Sequence, residues 1–318
     1  MARDGSSGEV RDGVELKHLD QELFEQAGVT KGDLIDYLDA VADRMLPELR
    51  DRPLTVLRVR PGTQPFMQKN LPAYAPDWIP TVAVWAQASQ REVRYPLCHD
   101  RRTLIWFGGQ RAVEFHPTVV DLSGVVRHVI IDLDPPLGAP FSDVVAAVKL
   151  VRAAMSDAGL AGAVKTSGAK GLHVVIPIES AAGEDTAAAT RALAARAERM
   201  GPELVTTAFL VADRGDKIYL DPTRSGGASL ACAYSPRARP GLPVSFPIAW
   251  SDLDAVVPAD FTVRTAPALL GNDNPWRDSL PAPQSLPADL VAEGHGIPVP
   301  RVVAMHEGKR RARARRMR

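Results

Sequence analysis

Cysteine is almost missing from this chain. Cys98 and Cys232 are the two in 318 residues and lie far apart. This excludes a disulfide framework and a cysteine-based zinc site, and it suits a reducing compartment. Net charge is missing too: 38 Lys and Arg offset 38 Asp and Glu, so no global field gathers polyanions. No apolar run approaches a membrane span. The opening stretch, MARDGSSGEVRDG, lacks the apolar segment of a signal peptide and reads as a disordered leader over residues 1–13. No internal repeat is evident. Hydrophobic content of 45% and charged content of 24% are those of a soluble globular protein of one or two domains, for which a cytoplasmic location is the expectation. Charge is present locally instead. Seven of the last ten residues, from Lys309 to Arg318, are Lys or Arg, a pattern that fits salt-sensitive contact with phosphates or a solubilising tail.

Order is expected from Val14. Thr30 and Asp33 form a capping-box pattern ahead of Leu34, Ile35, Leu38, Val41, Ala42, Met45 and Leu46, which recur at helical spacing until Pro47 stops or frays the helix. Leu54–Arg60 alternates as a strand. Residues 62–80 read as loop, Thr81–Trp85 and Glu92–Pro96 as a strand pair, and Ala112–His116 leads to a turn at Pro117. Ser142 is a candidate cap for a helix to about Ala158, with Gly159 after it. Val164–Pro177 reads as strand, Gly-rich loop and strand, and Asp185–Met200 as an Ala-rich helix. Further strands are expected at Lys217–Leu220, Ser229–Tyr234 and Phe261–Arg264, and a short helix start at Ala249–Asp254. From about Pro275 the chain is Pro- and Ala-rich and weakly periodic.

Three motifs carry chemistry. In VIIDLDPP, Asp132 and Asp134 share one face at the end of a buried strand, and Pro135 and Pro136 end it. Alone, this fits either a divalent-metal site or a solvated strand end. In SGAKGLH, Gly168 and Gly171 let backbone N–H groups approach an anion, Ser167 offers a hydroxyl and Lys170 a point charge, while His173 is either a phosphate contact or a core histidine. The loop is not a Walker A motif. In IYLD, Asp221 is a third strand-end carboxylate. Three such carboxylates suit two hard ions, Mn²⁺ or Mg²⁺, as used in phosphoryl transfer. Arg214, Arg224, Arg237 and Arg239 cluster around the third motif, as phosphate contacts or as a solvated surface.

With these motifs the chain resembles the polymerase domain of bacterial ATP-dependent DNA ligase D, within the archaeo-eukaryotic primase superfamily. The resemblance runs from roughly Leu16 to Trp276 and rests on GVTKGDLIDYLDAVADRMLPELRDRPLTVLR, FMQKNLPAYAPDWIPTV, EFHP, DLDPP, VKTSGAKGLHVVIP, YLDPTRSG and AYSPRARPGLPVSFPIAW. It implies an α+β primase–polymerase fold, with two modules facing each other around a catalytic, mainly antiparallel sheet. The expected domain covers 14–276, its N-terminal module about 14–115 and its catalytic module about 116–276, followed by a linker and basic tail over 277–318.

The resemblance also implies a template-dependent nucleotidyltransferase that prefers ribonucleotides and fills gaps or broken DNA ends during end joining. Asp132, Asp134 and Asp221 match the catalytic carboxylates that hold two Mn²⁺ or Mg²⁺ ions. His116, Ser167, Lys170, His173, Arg214, Arg237 and Arg239 match residues around the nucleoside triphosphate, and Lys31, Phe66 and Lys69 match DNA contacts. The implied partners are gapped or broken DNA, nucleoside triphosphates, a separate DNA ligase and an end-binding protein, at the nucleoid and not at a membrane. A stand-alone polymerase is the expectation, and the alternative is a catalytically weak DNA-end binding or bridging protein of the same fold. Three departures stand out. His18 and Gln21 replace a usual Asn and Lys, Met67 replaces the second aromatic of a pair, and Arg224 replaces a usual Gln. Because glutamine carries no charge, weaker 5′-phosphate recognition is expected.

Overall fold

The computed structural model describes residues 8–86, 90–226 and 228–299, and order begins earlier than Val14. β1 (Glu9–Arg11) pairs antiparallel with β2 (Val14–Leu16), and Leu16 is fully buried. The expected disordered leader is thus corrected over its last residues. Arg11 ties the hairpin down by pairing with Asp36 at 2.6 Å. Residues 1–7 lie outside the described residues.

Thr30 caps α1 (Lys31–Leu49) as its pattern predicts: its Oγ1 accepts from Asp33 N–H at 3.1 Å, and Asp33 Oδ2 accepts from Thr30 N–H at 2.8 Å. Leu34, Ile35, Leu38, Val41, Ala42 and Met45 are all buried along one face. Pro47 does not stop this helix, which runs on to Leu49. Proline frees the carbonyl four residues back, and both Asp43 and Pro47 are exposed, so water can satisfy it.

β3 (Leu54–Arg60) and β4 (Thr63–Gln68) form a hairpin where residues 62–80 were expected to be loop. Pro65 masked that strand in the sequence, and β4 tolerates it as an edge strand. β5 (Thr81–Ala86) and β6 (Arg91–Pro96) are the expected pair. α2 (Arg101–Gly109), capped by Asp100 Oδ1 on Thr103 N–H at 2.7 Å, leads to β7 (Ala112–Pro117). β7 pairs with β3, giving the order β4–β3–β7.

The larger sheet follows. β8 (Val126–Asp134) leads to α3 (Phe141–Asp157), then β9 (Ala163–Thr166), β10 (Leu172–Ala181) and α4 (Gly183–Met200). α3 starts after Pro140, and Ser142 turns to Asp143 rather than capping it. β11 (Val205–Thr206), β12 (Ile218–Asp221) and β13 (Pro247–Ile248) complete the order β11–β12–β8–β10–β9–β13, in which only β11–β12 is parallel. α3 packs against β8 and β10, α4 against β8, and the two helices against each other.

Ser229–Tyr234 and Phe261–Arg264 make isolated bridges at Ser229 and Thr262, not strands. The Ala231 carbonyl accepts from the Lys165 side chain instead of a ladder partner, and Tyr234 has a φ of 67°. Ala249–Asp254 forms only a 3₁₀ turn at Leu253–Ala255.

The expected module boundary at 115/116 falls inside β7. One continuous core runs through both parts. Phe115 N–H donates to Ser235 Oγ at 2.9 Å, and Tyr37 Oη to the Tyr234 carbonyl at 2.7 Å.

The expected linker is also corrected. After α5 (Ala266–Leu270) and α6 (Pro275–Ser279), α7 (Ala288–Gly296) docks on α4. Leu290 is fully buried, and Glu293 bonds Arg196 at 2.7 Å and Arg199 at 2.8 Å. The basic stretch Lys309–Arg318 lies outside the described residues.

Candidate active site

The register of four consecutive strands builds the site. Across β12, β8, β10 and β9, Asp221 lies opposite Asp132, Asp132 opposite His173, and His173 opposite Lys165. Residues in register share a face, so these four side chains form one row. Asp134, two residues on from Asp132, returns to the same face.

Each carboxylate in this row meets a cation of the protein. Arg224 Nε stands 3.2 Å from Asp132 Oδ2 and 3.1 Å from Asp221 Oδ2. His173 Nε2 lies 3.4 Å from Asp132 Oδ1. Asp134 pairs with Lys170 at 3.0 Å and with Arg214 at 3.6 Å. Burial raises the Asp132 pKa, but His173, Arg224 and Lys165 outweigh it and hold the carboxyl at about 2. Burial, reinforced by Lys165, lowers the His173 pKa to about 4 despite the opposing pull of Asp132.

The Gly-rich loop closes against the same strand. Ser167 N–H donates to the Gly171 carbonyl at 2.9 Å, and Ser167 Oγ accepts from Ala169 and Gly171 N–H at 3.1 Å each. Gly168 has a φ of +69°. A Cβ on Gly171 would lie 1.9 Å from the Leu133 carbonyl oxygen, so only glycine lets the loop lie this close to β8. Lys170 also donates to the Pro135 carbonyl.

His116, Asp132, Asp134, Ser167, Lys170, His173, Arg237 and Arg239 line one cleft together with Arg224. Glu114, which the sequence reading missed, organises part of its lining. Its Oε2 lies 2.8 Å from His116 Nε2 and 3.0 Å from Arg237 Nε, and its Oε1 accepts from Ala238 N–H at 2.9 Å. Burial raises its pKa, yet these contacts bring it to about 2. The signal was the i, i+2 pair in EFH, which puts Glu114 and His116 on one face. Arg214 borders an adjoining cleft that shares Asp134 and Lys170. It is held by the Ala208 and Phe209 carbonyls at 3.1 and 3.0 Å, over the Tyr219 ring.

The DNA-contact candidates lie apart from this row. Phe66 and Lys69 line a separate cleft with Arg58, Arg60, Met67 and Tyr74, and Arg60 lies over the Phe66 ring at 5.0 Å. Lys31 reaches neither cleft. It is buried, donates to the Lys17 carbonyl at 2.7 Å, and has its pKa lowered to about 8 by burial and by nearby Arg111.

The donor set fits hard divalent ions: three carboxylates on adjoining strands, with no sulfur ligand among them. As they stand, no group of three His, Cys, Asp or Glu side chains among the described residues closes on one ion. Arg224, Lys170 and Arg214 are the cations that meet these carboxylates.

A mainly antiparallel sheet with helices packed on it, three strand-end carboxylates and a Gly-rich anion loop beside them define a primase–polymerase type of domain. The chain belongs to the LigD primase-polymerase domain family, whose model matches residues 30–276. It is 32% identical over 286 residues to the bifunctional non-homologous end joining protein LigD of Bacillus subtilis, which covers 87% of this chain and 46% of that protein. It is 31% identical over 264 residues to the multifunctional non-homologous end joining DNA repair protein LigD of Mycobacterium tuberculosis, covering 79% and 34% respectively. The chain thus spans less than half the length of these curated relatives. A solved polymerase domain from Mycobacterium tuberculosis ligase D, in complex with DNA, superposes with a TM-score of 0.74 at 27% identity, covering 88% of this chain and 98% of that one. Among the described residues, no helix is long and apolar enough to cross a membrane.

Proposed function

We propose that this chain is a metal-dependent nucleotidyltransferase that extends a DNA 3′-end across from a template at gaps or broken ends, in non-homologous end joining in the cytoplasm. The observation that carries this reading is the row Asp221, Asp132 and His173 beside the Ser167–Gly171 loop. Asp132, Asp134 and Asp221 would hold two Mn²⁺ or Mg²⁺ ions. Bound there, the ions would supply charge for the triphosphate and favour loss of the proton from the attacking hydroxyl.

The chain's own residues orient the nucleotide. Ser167 keeps its hydroxyl hydrogen free, because its oxygen only accepts within the loop. Lys170 is half-exposed and can exchange Asp134 for a phosphate oxygen. Glu114 fixes His116 and Arg237, and Arg237 in turn donates to the Ser167 carbonyl of the loop at 2.8 Å. Arg239 is exposed at the cleft and adds charge there. Phe66, beside Lys69 and Arg60, offers a stacking surface for a template base. Ribonucleotide preference belongs to the same reading, which draws on the likeness to LigD proteins.

A second reading, a DNA-end binding protein with weak catalysis, is favoured by the protein cations already on all three carboxylates. One experiment separates them. A primer on a gapped template is extended with Mn²⁺ or Mg²⁺ and either ribo- or deoxyribonucleotides, beside an Asp132→Ala, Asp134→Ala variant. The expected result is incorporation that favours ribonucleotides and is lost in the variant. Incorporation of no nucleotide with either ion defeats the polymerase reading.

A further inference from the structure

Arg224 spans two carboxylates that face each other across β8 and β12. The side chains of Asp132 and Asp221 are 14% and 10% exposed, against 36% for Arg224. Two carboxylates this close and this desolvated repel unless a cation lies between them. Their other oxygens are occupied. Asp132 Oδ1 faces His173 Nε2 at 3.4 Å, and Asp221 Oδ1 accepts from Thr223 N–H at 2.9 Å and Thr223 Oγ1–H at 2.6 Å. The two oxygens left to share an outside cation are the pair that Arg224 takes.

We propose that Arg224 is a built-in counter-cation, which holds the place of a divalent ion between Asp132 and Asp221 and must swing out before that ion binds. This rests on reading the three carboxylates as the ion-holding set. One positive group fits between the two oxygens at a time, so ion and guanidinium compete. The affinity observed for the ion is then the intrinsic affinity scaled by the fraction of molecules with Arg224 out.

The turn that carries Arg224 is anchored. Ser225 Oγ accepts from Ile130 N–H at 3.0 Å and lies 2.8 Å from Thr190 Oγ1. The moving part is therefore the side chain, which is the most exposed of the three. It already borders the cleft that Lys170 and Arg237 line. A triphosphate in that cleft offers the displaced guanidinium a new partner. Nucleotide then favours the out position and raises ion affinity, and by linkage the ion raises nucleotide affinity. A neutral glutamine at this position has no charge to displace and none to hand over.

The test is Mn²⁺ binding to the whole chain without nucleotide, followed by electron paramagnetic resonance of the free ion and by calorimetry. Arg224→Gln is expected to bind Mn²⁺ on the order of tenfold more tightly than the wild type, within the range of ordinary coupling energies. Arg224→Lys keeps one charge but loses the span across both carboxylates, so a smaller gain is expected; it also carries the test if the Gln variant fails to fold. Adding a non-hydrolysable nucleoside triphosphate should tighten Mn²⁺ binding in the wild type and much less in Arg224→Gln. Wild-type binding that is unchanged or weakened by both substitutions overturns the counter-cation alone. If neither the wild type nor a folded variant binds Mn²⁺, the ion-holding reading falls with it.

Discussion

Lys165 Nζ stands 2.7 Å from His173 Nδ1, with both residues fully or almost fully buried. The same ammonium reaches the Ala231 carbonyl at 2.9 Å and Ser245 Oγ at 2.6 Å, so three acceptors meet its three N–H groups. Burial lowers its pKa to about 7. With Nδ1 accepting from Lys165, the imidazole proton is placed on Nε2, which faces Asp132 and the cleft. Lys165 is thus a positioning residue for His173. Lys165→Met is expected to release this tautomer and to lower nucleotide transfer by about 10- to 100-fold, the usual effect of losing an orienting partner. Nitrogen-15 NMR of His173 checks it. An unchanged Nε2–H tautomer in the variant would show that Lys165 only fills space.

Burial also sets how stability depends on pH. His128 Nδ1 lies 3.0 Å from Arg52 Nη2, and burial, then Arg52 and Arg127, lowers its pKa from 6.5 to about 3. Between those values the unfolded chain binds a proton that the folded chain refuses. Folding stability therefore falls as pH drops below about 6.5, and by pH 5 this one group removes roughly 2 kcal/mol. Buried His173 acts in the same direction. Urea unfolding of the wild type and of His128→Gln at pH 7 and pH 5 isolates the term, since glutamine keeps an acceptor for Arg52. The variant should lose less stability on acidification. Equal losses would mean that His128 titrates normally in the folded chain.

What the sequence made legible followed from local pattern. DLDPP and IYLD read as strand-end carboxylates, and SGAKGLH as a tight loop, because apolar runs and glycines mark such elements within a few residues. The row from Asp221 to Lys165 was hidden, because it depends on register between strands far apart in the chain. Glu114 and Lys165 were missed for a related reason: a charged residue in a strand looks like its wet face until its buried partners are known. Arg224 was visible as a departure, while its hold on two carboxylates needed the fold. β4 was concealed by Pro65, and α7 by its proline-rich surroundings.

The docking of α7 depends on one close approach. A Cβ on Gly294 would lie 1.9 Å from the Ala188 carbonyl oxygen on α4. Gly294→Ala therefore has to push the two helices apart, and its own carbonyl, which accepts from Arg191 Nη2 at 3.0 Å, moves with it. A loss of about 1–3 kcal/mol is expected, the usual cost of overpacking. Thermal or urea unfolding measures it. A neutral outcome would mean that residues 288–296 contribute little to the fold, as the weak periodicity of that stretch had suggested.

Gln21 makes a contact that bears on the proposed recognition of a 5′-phosphate. Its Oε1 accepts from Arg111 Nη2 at 2.6 Å, and Arg111 also donates to the Glu22 and Leu23 carbonyls at 3.0 Å each. Arg111 acts on the ionisation of Lys31, so two cations lie near each other at this end of α1. The resemblance that placed Lys31 at a 5′-phosphate left Gln21 as a lost charge, and Arg111 brings a partial replacement. Its guanidinium is committed to three protein oxygens, which limits what it can offer a phosphate. Gap filling is therefore expected to show a modest gain from a downstream 5′-phosphate, and Arg111→Gln is expected to abolish that gain. A strong phosphate stimulation that survives Arg111→Gln would place the phosphate contact elsewhere.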